Sequence, residues 1–285
     1  MSVITAAMVK ELRDRTQAGM MEAKKILTET NGDMDAAIKL MREKNKDLTV
    51  KDGRTSAEGV IESFVSSDST LGVLVEVNSE TDFVARNDEF VALAKDLAKH
   101  ASENPTAEHA DALLDIKMSA TGEPARTRLQ ETFAKLRENI IFKQFAAIQS
   151  DNATVYAYVH MGGQIGTLVE MKGTGPEIKS LAREVAMHIA AAKPKYLSRA
   201  DVPTNVVAAE REIVKTRTMA DPKNASKTPE NLEKTIESGV GTFFKANVLL
   251  EQPYVRDGKQ SIEQLITGKS EIVSFIRYEI GEASA

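Results

Sequence analysis

The feature that most constrains the fold of this chain is an internal repeat of two strands followed by a helix. The strands are predicted from short apolar runs bounded by turn residues, and the helices from apolar residues at helical spacing. The two copies comprise residues 59–65, 71–77 and 90–100, and then residues 154–159, 165–171 and 178–192. A repeat of this kind predicts two related α/β subdomains, each built on an antiparallel hairpin.

The two copies differ in the connection between the second strand and the helix. Leu71 aligns with Ile165 at an offset of 94 residues, whereas Leu93 aligns with Leu181 at an offset of 88. The first copy therefore carries six extra residues, which fall in residues 78–89. Because the second copy lacks them, the fold does not require this length, and the longer loop is a candidate functional segment.

A helical module is predicted before the repeat. Residues 4–45 read as three short helices, with Thr5 as a candidate cap of the first. The break at residues 17–19 separates the first helix from the second, which ends at Asn31-Gly32. Asp33 then caps the third helix. These signals predict a compact three-helix module, which a polar linker follows.

The remaining segments extend the two subdomains. Residues 126–150 predict a helix and then a strand between the two copies. After the second copy, two helices joined by a turn at residues 221–224 predict a protruding helical hairpin at about residues 203–239. A last strand at residues 272–280 is expected to complete the second sheet.

These patterns together predict an α+β protein with a three-helix module, a linker and a two-part core. The core consists of an N-subdomain and a C-subdomain with antiparallel sheets, and the C-subdomain contains the hairpin. The predicted boundaries are, in order, residues 1–50, 51–58, 59–145 and 146–285.

The charge pattern favours a protein partner. The formal net charge is -5 at pH 7, and the Lys and Arg residues are scattered along the chain. Binding to phosphate backbones needs a concentrated basic face. We therefore expect no direct contact with nucleic acid.

The composition also bears on compartment and chemistry. No segment approaches the roughly 20 apolar residues of a membrane span, and residues 1–11 lack the pattern of a secretion signal. We expect a cytoplasmic protein without membrane contact. The absence of cysteine excludes disulfides, thiolate nucleophiles and zinc sites with Cys ligands.

The four histidines do not form a convincing catalytic pattern. His100 and His188 occupy matching repeat positions near helix ends, which indicates packing or complementation of the helix C-terminus. His109 is predicted to be a surface residue. His160 precedes residues 161–163 and is either a partner contact or part of a tight turn. With no histidine pair at i, i+4 and no nucleophile elbow, we expect no metal, no cofactor and no enzymatic reactive group.

The longer loop contains Thr81-Asp82-Phe83-Val84, an unusual apolar element in a polar connection. In one interpretation, Thr81 or Asp82 caps a helical turn and Phe83 packs back against the sheet. In the other, the loop presents Phe83 as an apolar anchor for a pocket on a partner, and Asp82 makes polar contacts beside it. The local pattern leaves both interpretations open.

Five ordered blocks of residues resemble the elongation factor Ts family, and the likeness covers nearly the whole chain. The blocks are residues 16–27, residues 78–85 with the Thr81-Asp82-Phe83-Val84 loop, and residues 159–166, 186–191 and 275–279. The resemblance implies that the N-terminal module is like a ubiquitin-associated domain and that the hairpin is like a coiled coil. It also implies binding to elongation factor Tu, in GDP-bound and nucleotide-free form, and promotion of GDP release.

The same resemblance implies roles for particular residues. The loop residues Thr81, Asp82, Phe83 and Val84 would displace the Mg²⁺ held by elongation factor Tu, with Phe83 wedged between helices of the partner. Further partner contacts would come from Gly19, Met20 and His160. For Gly19 and Met20, a turn with a core methionine is an equally good interpretation.

Two rival functions remain open from the sequence. A scaffold whose three-helix module binds ubiquitin-like domains would not need residues 81–84. An α/β enzyme that uses His160 or His188 with a nearby carboxylate would need a pocket in which those side chains converge.

Overall fold

The computed structural model describes residues 4–16, 20–44 and 56–282. The chain divides into two compact units. The first unit comprises Met1–Glu62, Val75–Phe145 and Ile280–Ala285, and the second comprises Ser63–Leu74 and Ala146–Glu279. The four domain boundaries predicted from the sequence stay a prediction.

The N-terminal module contains three helices, as the sequence predicts. They are α1 (Ala6–Thr16), α2 (Met20–Glu29) and α3 (Met34–Lys44). All three contact one another, around a small apolar core of Val9, Leu12, Ala23, Ile26, Leu27 and Ala37.

The predicted caps of this module are confirmed. The Thr5 hydroxyl accepts the backbone N–H of Met8 at 3.3 Å, and the Asp33 carboxylate accepts that of Ala36 at 2.9 Å. Asn31 and Gly32 have positive φ and end α2. The predicted break at residues 17–19, which includes the candidate Gly19, lies outside the described residues.

The first repeat forms a three-stranded antiparallel sheet in the order β1-β2-β3. Its strands are β1 (Glu58–Val65), β2 (Leu71–Ser79) and β3 (Ile141–Gln149). The helices between β2 and β3 are α4 (Asp82–Ala85), α5 (Asp88–Glu103), α6 (Ala110–Asp115) and α7 (Ala125–Leu136). The predicted hairpin, helix and third strand are confirmed. The sequence analysis missed α6, whose N-terminus is capped by His109.

The second repeat forms a sheet with the same strand order, β4-β5-β6. Its elements are β4 (Ala153–His160), β5 (Ile165–Lys172), α8 (Pro176–Ala192), α9 (Thr204–Ala220), α10 (Pro229–Asn247), α11 (Ile262–Ile266) and β6 (Ile272–Glu279). All strand pairs in this sheet are antiparallel. The shared order extends the predicted repeat to the third strand and confirms the α+β fold class.

The second sheet buries one face beneath α8, which contacts β4 and β5. The apolar face of α8 recurs at helical spacing and lies in one core with the buried residues of β5. That core includes Val169, Met171, Leu181, Val185, Ile189, Leu249 and Ile262.

The predicted helical hairpin is formed by α9 and α10, which pack along each other. The sequence analysis ended it at about residue 239, whereas α10 continues to Asn247. The reason is that Ile236, Val240 and Phe244 recur four residues apart and bury one continuous stripe. None of the helices in the described ranges combines the length and apolar character needed to cross a membrane.

Gly239 marks the closest approach of the two hairpin helices. A Cβ added at Gly239 would lie 2.4 Å from Cγ1 of Val214, a buried residue of α9. A Cβ at Gly241, on the same helix, would meet nothing within 4 Å. The two glycines therefore offer a matched pair of substitutions that differ in packing alone.

We expect Gly239→Ala to lower the free energy of unfolding by about 1–2 kcal/mol, because overpacking outweighs the gain in helix propensity. Gly241→Ala should raise it by about 0.5–1 kcal/mol, since only the propensity gain remains. Urea unfolding followed by circular dichroism at 222 nm measures both. Equal effects of the two substitutions would contradict the close packing at Gly239.

His188 is buried in the second unit and bonded through both ring nitrogens. Its Nδ1 accepts the backbone N–H of Val255 at 3.3 Å, so Nε2 carries the proton and donates to Oε1 of Gln252 at 2.9 Å. The Gln252 amide donates in turn to the carbonyls of Ala192 and Ala246. This network ties the ends of α8 and α10 to the segment that follows them, which confirms the packing interpretation for His188.

Burial lowers the pKa of His188 below its ordinary value of 6.5, against the opposing effect of the Gln252 hydrogen bond. As pH falls below about 6.5, the unfolded chain takes up a proton that the folded chain does not bind. Stability from neutral His188 is therefore complete above that pH and is lost below it. We expect the unfolding temperature to fall less steeply between pH 7 and pH 5 in His188→Gln, and parallel profiles would contradict this assignment.

Candidate functional site

The extra length of the first repeat builds a separate turn of helix. Residues 80–87 connect β2 to α5, whereas residues 173–175 connect β5 to α8. Four residues of the longer connection form α4, Asp82–Ala85. The first connection is therefore longer, as predicted, but by five residues, because the sixth extra residue extends β2 to Ser79. The longer connection contains all four candidate residues of the loop.

Thr81 caps α4. Its backbone is extended, with φ -127° and ψ 154°, and its hydroxyl accepts the backbone N–H of Val84 at 3.3 Å. Asp82 in the first turn forms an exposed ion pair with Arg86 at 3.2 Å. The capping half of the first interpretation is thus confirmed for Thr81.

Phe83 points away from the protein. Its relative exposure is 84%, while Ala85, two residues later, is buried. Because so little of Phe83 is covered, the expectation that it packs back against the sheet is wrong. An aromatic residue that the fold leaves in water is available as an anchor for another molecule.

Glu138 is distant from this turn in sequence but bonds to Thr81, the residue at its start. Its carboxylate accepts the backbone N–H of Thr81 at 3.1 Å and the Thr81 hydroxyl at 2.8 Å. Next to it, the backbone N–H of Asn139 donates to the Glu80 carboxylate at 2.8 Å. The Ser79 hydroxyl adds a bond to the Thr81 carbonyl at 3.0 Å. These hydrogen bonds hold residues 79–81, at the start of the loop.

The geometry of α7 brings Glu138 to the loop. The helix ends at Arg137, which adopts a left-handed conformation with φ 60° and redirects the chain into β3. Asn139 and Ile140 are fully buried directly after it. The sequence analysis missed Glu138, since 57 residues separate it from Thr81 and no local pattern links them.

Ion pairs fix the helix that follows the loop. Arg128 on α7 pairs with Glu89 at 2.7 Å and with Asp96 at 3.0 Å, and Lys135 also pairs with Glu89 at 2.7 Å. The hydrogen bonds from Lys135 and Arg128 lower the pKa of Glu89. The start of α5 is thereby joined to α7, the same helix that leads to Glu138.

The N-terminal candidate Met20 is the first residue of α2, and it is 51% exposed. It is therefore not a core methionine, which removes one of the two interpretations from the sequence. The other member of the pair, Gly19, lies outside the described residues.

His160 ends β4 in the second unit. The backbone N–H groups of Gly163 and Gln164 both donate to its carbonyl at 3.2 Å, so the predicted tight turn is present. Its ring Nδ1 lies 2.7 Å from the Tyr158 hydroxyl. At the turn, Met161 is 72% exposed and presents a second apolar surface beside the imidazole.

A cavity of about 320 Å³ opens beside His160. Its walls include Tyr158, His160, Ile165, Glu184, Met187 and Tyr254. The cavity brings His160 and the carboxylate of Glu184 to one place, as the enzyme alternative requires. Glu184, however, pairs with Arg256 at 3.4 Å, and the imidazole is engaged by Tyr158.

Histidine and carboxylate side chains are common metal ligands in proteins. In residues 4–16, 20–44 and 56–282, no group of three or more such side chains is arranged to hold a metal ion. His100 is buried, like His188. Its Nε2 lies 3.1 Å from the carbonyl oxygen of Leu113, and this contact joins α5 to α6.

The chain is similar to a known protein family over most of its length. The family model described as Elongation factor TS matches residues 80–282, a range that includes the Thr81 loop, both sheets' third strands and the hairpin. A match of this extent covers more than half of the chain.

Three proteins named elongation factor Ts give the same result. One from Alkalilimnicola ehrlichii is 41% identical over 281 residues, which cover 98% of this chain and 92% of that protein. One from Methylococcus capsulatus is 42% identical over 282 residues, with 98% and 92% covered. One from Clostridium perfringens is 38% identical over 290 residues, with 98% and 94% covered. The chain therefore belongs to the elongation factor Ts family of translation elongation factors.

Proposed function

We propose that this chain is a guanine-nucleotide exchange factor that binds GDP-bound elongation factor Tu and promotes the release of GDP. The observation that carries the proposal is Phe83, which is 84% exposed on a capped and fastened helical turn. Family membership supports the choice of partner. The factor acts in the cytoplasm, without direct contact to nucleic acid.

Release follows from a change in the partner's Mg²⁺ and phosphate site. Mg²⁺ bridges the protein and the nucleotide phosphates, and it needs near-ideal octahedral geometry. A loop that enters beside the site and shifts the coordinating groups therefore weakens GDP binding. Phe83 inserts into the partner as a wedge. Thr81, Asp82 and Val84 then lie at the edge of the partner's Mg²⁺ and phosphate site. No covalent bond is made or broken, so the factor needs no reactive group of its own.

Linkage adds a thermodynamic condition. If the factor lowers the affinity of its partner for GDP by some ratio, GDP lowers the affinity for the factor by the same ratio. The nucleotide-free complex is then the tight one. Binding of GTP displaces the factor and regenerates the partner for protein synthesis.

The size of the Phe83 contribution can be set from its exposure. Full burial of a Phe side chain is worth about 1.5–3 kcal/mol, which corresponds to a factor of roughly 10–100 in an equilibrium or rate constant. Because Phe83 makes few contacts in the free chain, most of this energy is available to the complex.

We expect Phe83→Ala to slow GDP release from elongation factor Tu about 10–100-fold at a fixed concentration of the factor, since the buried area is lost. Stopped-flow fluorescence with labelled GDP measures the rate. Ile116→Ala, at another exposed apolar residue of the first unit, is the control and should leave release unchanged. A wild-type rate for Phe83→Ala would remove the wedge from the proposal.

The other candidates are proposed as binding contacts. The N-terminal module resembles a ubiquitin-associated domain, and Gly19 with Met20 would place it on the partner. His160 in the second unit would add a contact at its turn, beside the exposed Met161. These residues hold the complex together, whereas the Thr81 loop acts on the nucleotide site.

We expect Met20→Ala to raise the dissociation constant of the nucleotide-free complex about 3–10-fold, the equivalent of burying part of one side chain. The rate of GDP release at saturating factor should stay within about twofold of wild type. Titration calorimetry measures the affinity, and Met219→Ala, at an exposed methionine of α9, is the control. Unchanged affinity would remove Met20 from the proposed contacts with the partner.

A further inference from the structure

The cap of α4 is incomplete within its own sequence. In a capping box, the residue three positions after the cap carries a Glu or Gln side chain that accepts the backbone N–H of the cap residue. At α4 that position is Val84, whose side chain has no acceptor. The N–H of Thr81 must therefore find its partner elsewhere.

Glu138 supplies the missing acceptor. Its Oε2 accepts the Thr81 N–H at 3.1 Å, in the role that the third helical residue plays in a capping box. Its Oε1 also accepts the Thr81 hydroxyl at 2.8 Å. The Thr81 hydroxyl therefore directs its proton to the carboxylate. A lone pair on the hydroxyl oxygen remains to accept the backbone N–H of Val84.

This arrangement frees the residues of α4 from capping their own helix. Asp82, Phe83 and Val84 are the first three residues of the turn, and none of their side chains is needed at its N-terminus. Phe83 can therefore stay exposed while the backbone that carries it is held by charge-assisted hydrogen bonds.

We propose that Glu138 is a positioning residue for nucleotide exchange, which completes the cap at Thr81 and so holds α4 in the orientation that exposes Phe83. The inference rests on the proposed exchange function. Glu138 acts through Thr81 and Phe83, and it makes no contact with the nucleotide site.

The first test uses the free chain and does not depend on exchange activity. In Glu138→Ala, amide hydrogen exchange of residues 84–87 should quicken about tenfold, because the loss of charge-assisted bonds raises the population of the open loop. Glu138→Gln keeps one acceptor oxygen, so its exchange rate should lie between those of wild type and Glu138→Ala. Glu131→Ala, at an exposed carboxylate on α7, the helix that precedes Glu138, should match wild type.

The second test measures GDP release from elongation factor Tu at saturating factor. We expect Glu138→Ala to slow release about 3–10-fold, because the loop would then lose conformational entropy when it binds the partner. Glu138→Gln should recover part of this loss. In a Phe83→Ala background, Glu138→Ala should add less than about twofold, since residues that act as a unit are not additive.

The outcomes separate this inference from the proposed function. If wild-type chain does not speed GDP release, the exchange function fails, while hydrogen exchange still reports on the contact with Thr81. If wild type and the Phe83 variant behave as proposed but Glu138→Ala releases GDP at the wild-type rate, the positioning role is overturned alone. Full additivity with Phe83→Ala also overturns it, because Glu138 would then act through a contact of its own. The positioning role is also overturned if Glu138→Ala lowers the thermal stability of the chain but leaves amide hydrogen exchange at residues 84–87 unchanged.

Discussion

Burial of each sheet is the constraint on which the rest of this structure depends. In the second unit, α8 covers β4 and β5 after a connection of only residues 173–175. The repeat shows that a strand pair and its helix need no more chain than this. Five of residues 80–87 in the first repeat therefore exceed what this connection needs, and the segment forms a turn whose apolar residue is exposed. The proposed function would thus be added as length, without a change of scaffold.

The sequence predicted the parts of this fold that depend on local pattern. Short apolar runs between turn residues located both β-hairpins and the third strands, and helical spacing located the long helices. Thr5 and Asp33 marked helix starts. The sequence pattern did not predict the short helices α6 and α11, because Ala110–Asp115 and Ile262–Ile266 are too short to show a helical period. For the loop, one interpretation of the pattern offered Thr81 or Asp82 as a cap, and the pattern could not decide where Phe83 points. That depends on tertiary contacts such as Glu138, which no local signal announces.

An exposed aromatic anchor cannot be held in place by its own packing. The Phe83 ring is exposed to water, so the apolar burial that orders most side chains does not order this one within the chain. The fold must fix the backbone instead. Thr81 donates hydrogen bonds to Glu138 and accepts one from Ser79, and these bonds hold the backbone without covering the ring. A single exposed ring also stays far below the size of an apolar patch that promotes aggregation.

Linkage explains why so small an element would be sufficient for the proposed exchange. Coupling between two ligands of one protein is typically about 1–3 kcal/mol, and burying one Phe side chain is worth about 1.5–3 kcal/mol. The two ranges overlap, so one ring held at the right angle can supply the coupling that the proposed function needs. A larger apolar surface on the loop would tighten the nucleotide-free complex further, and GTP would then have to overcome that energy to release the factor. A single aromatic residue on a hydrogen-bonded turn therefore suits the proposed function, in which the factor would have to leave its partner after each exchange.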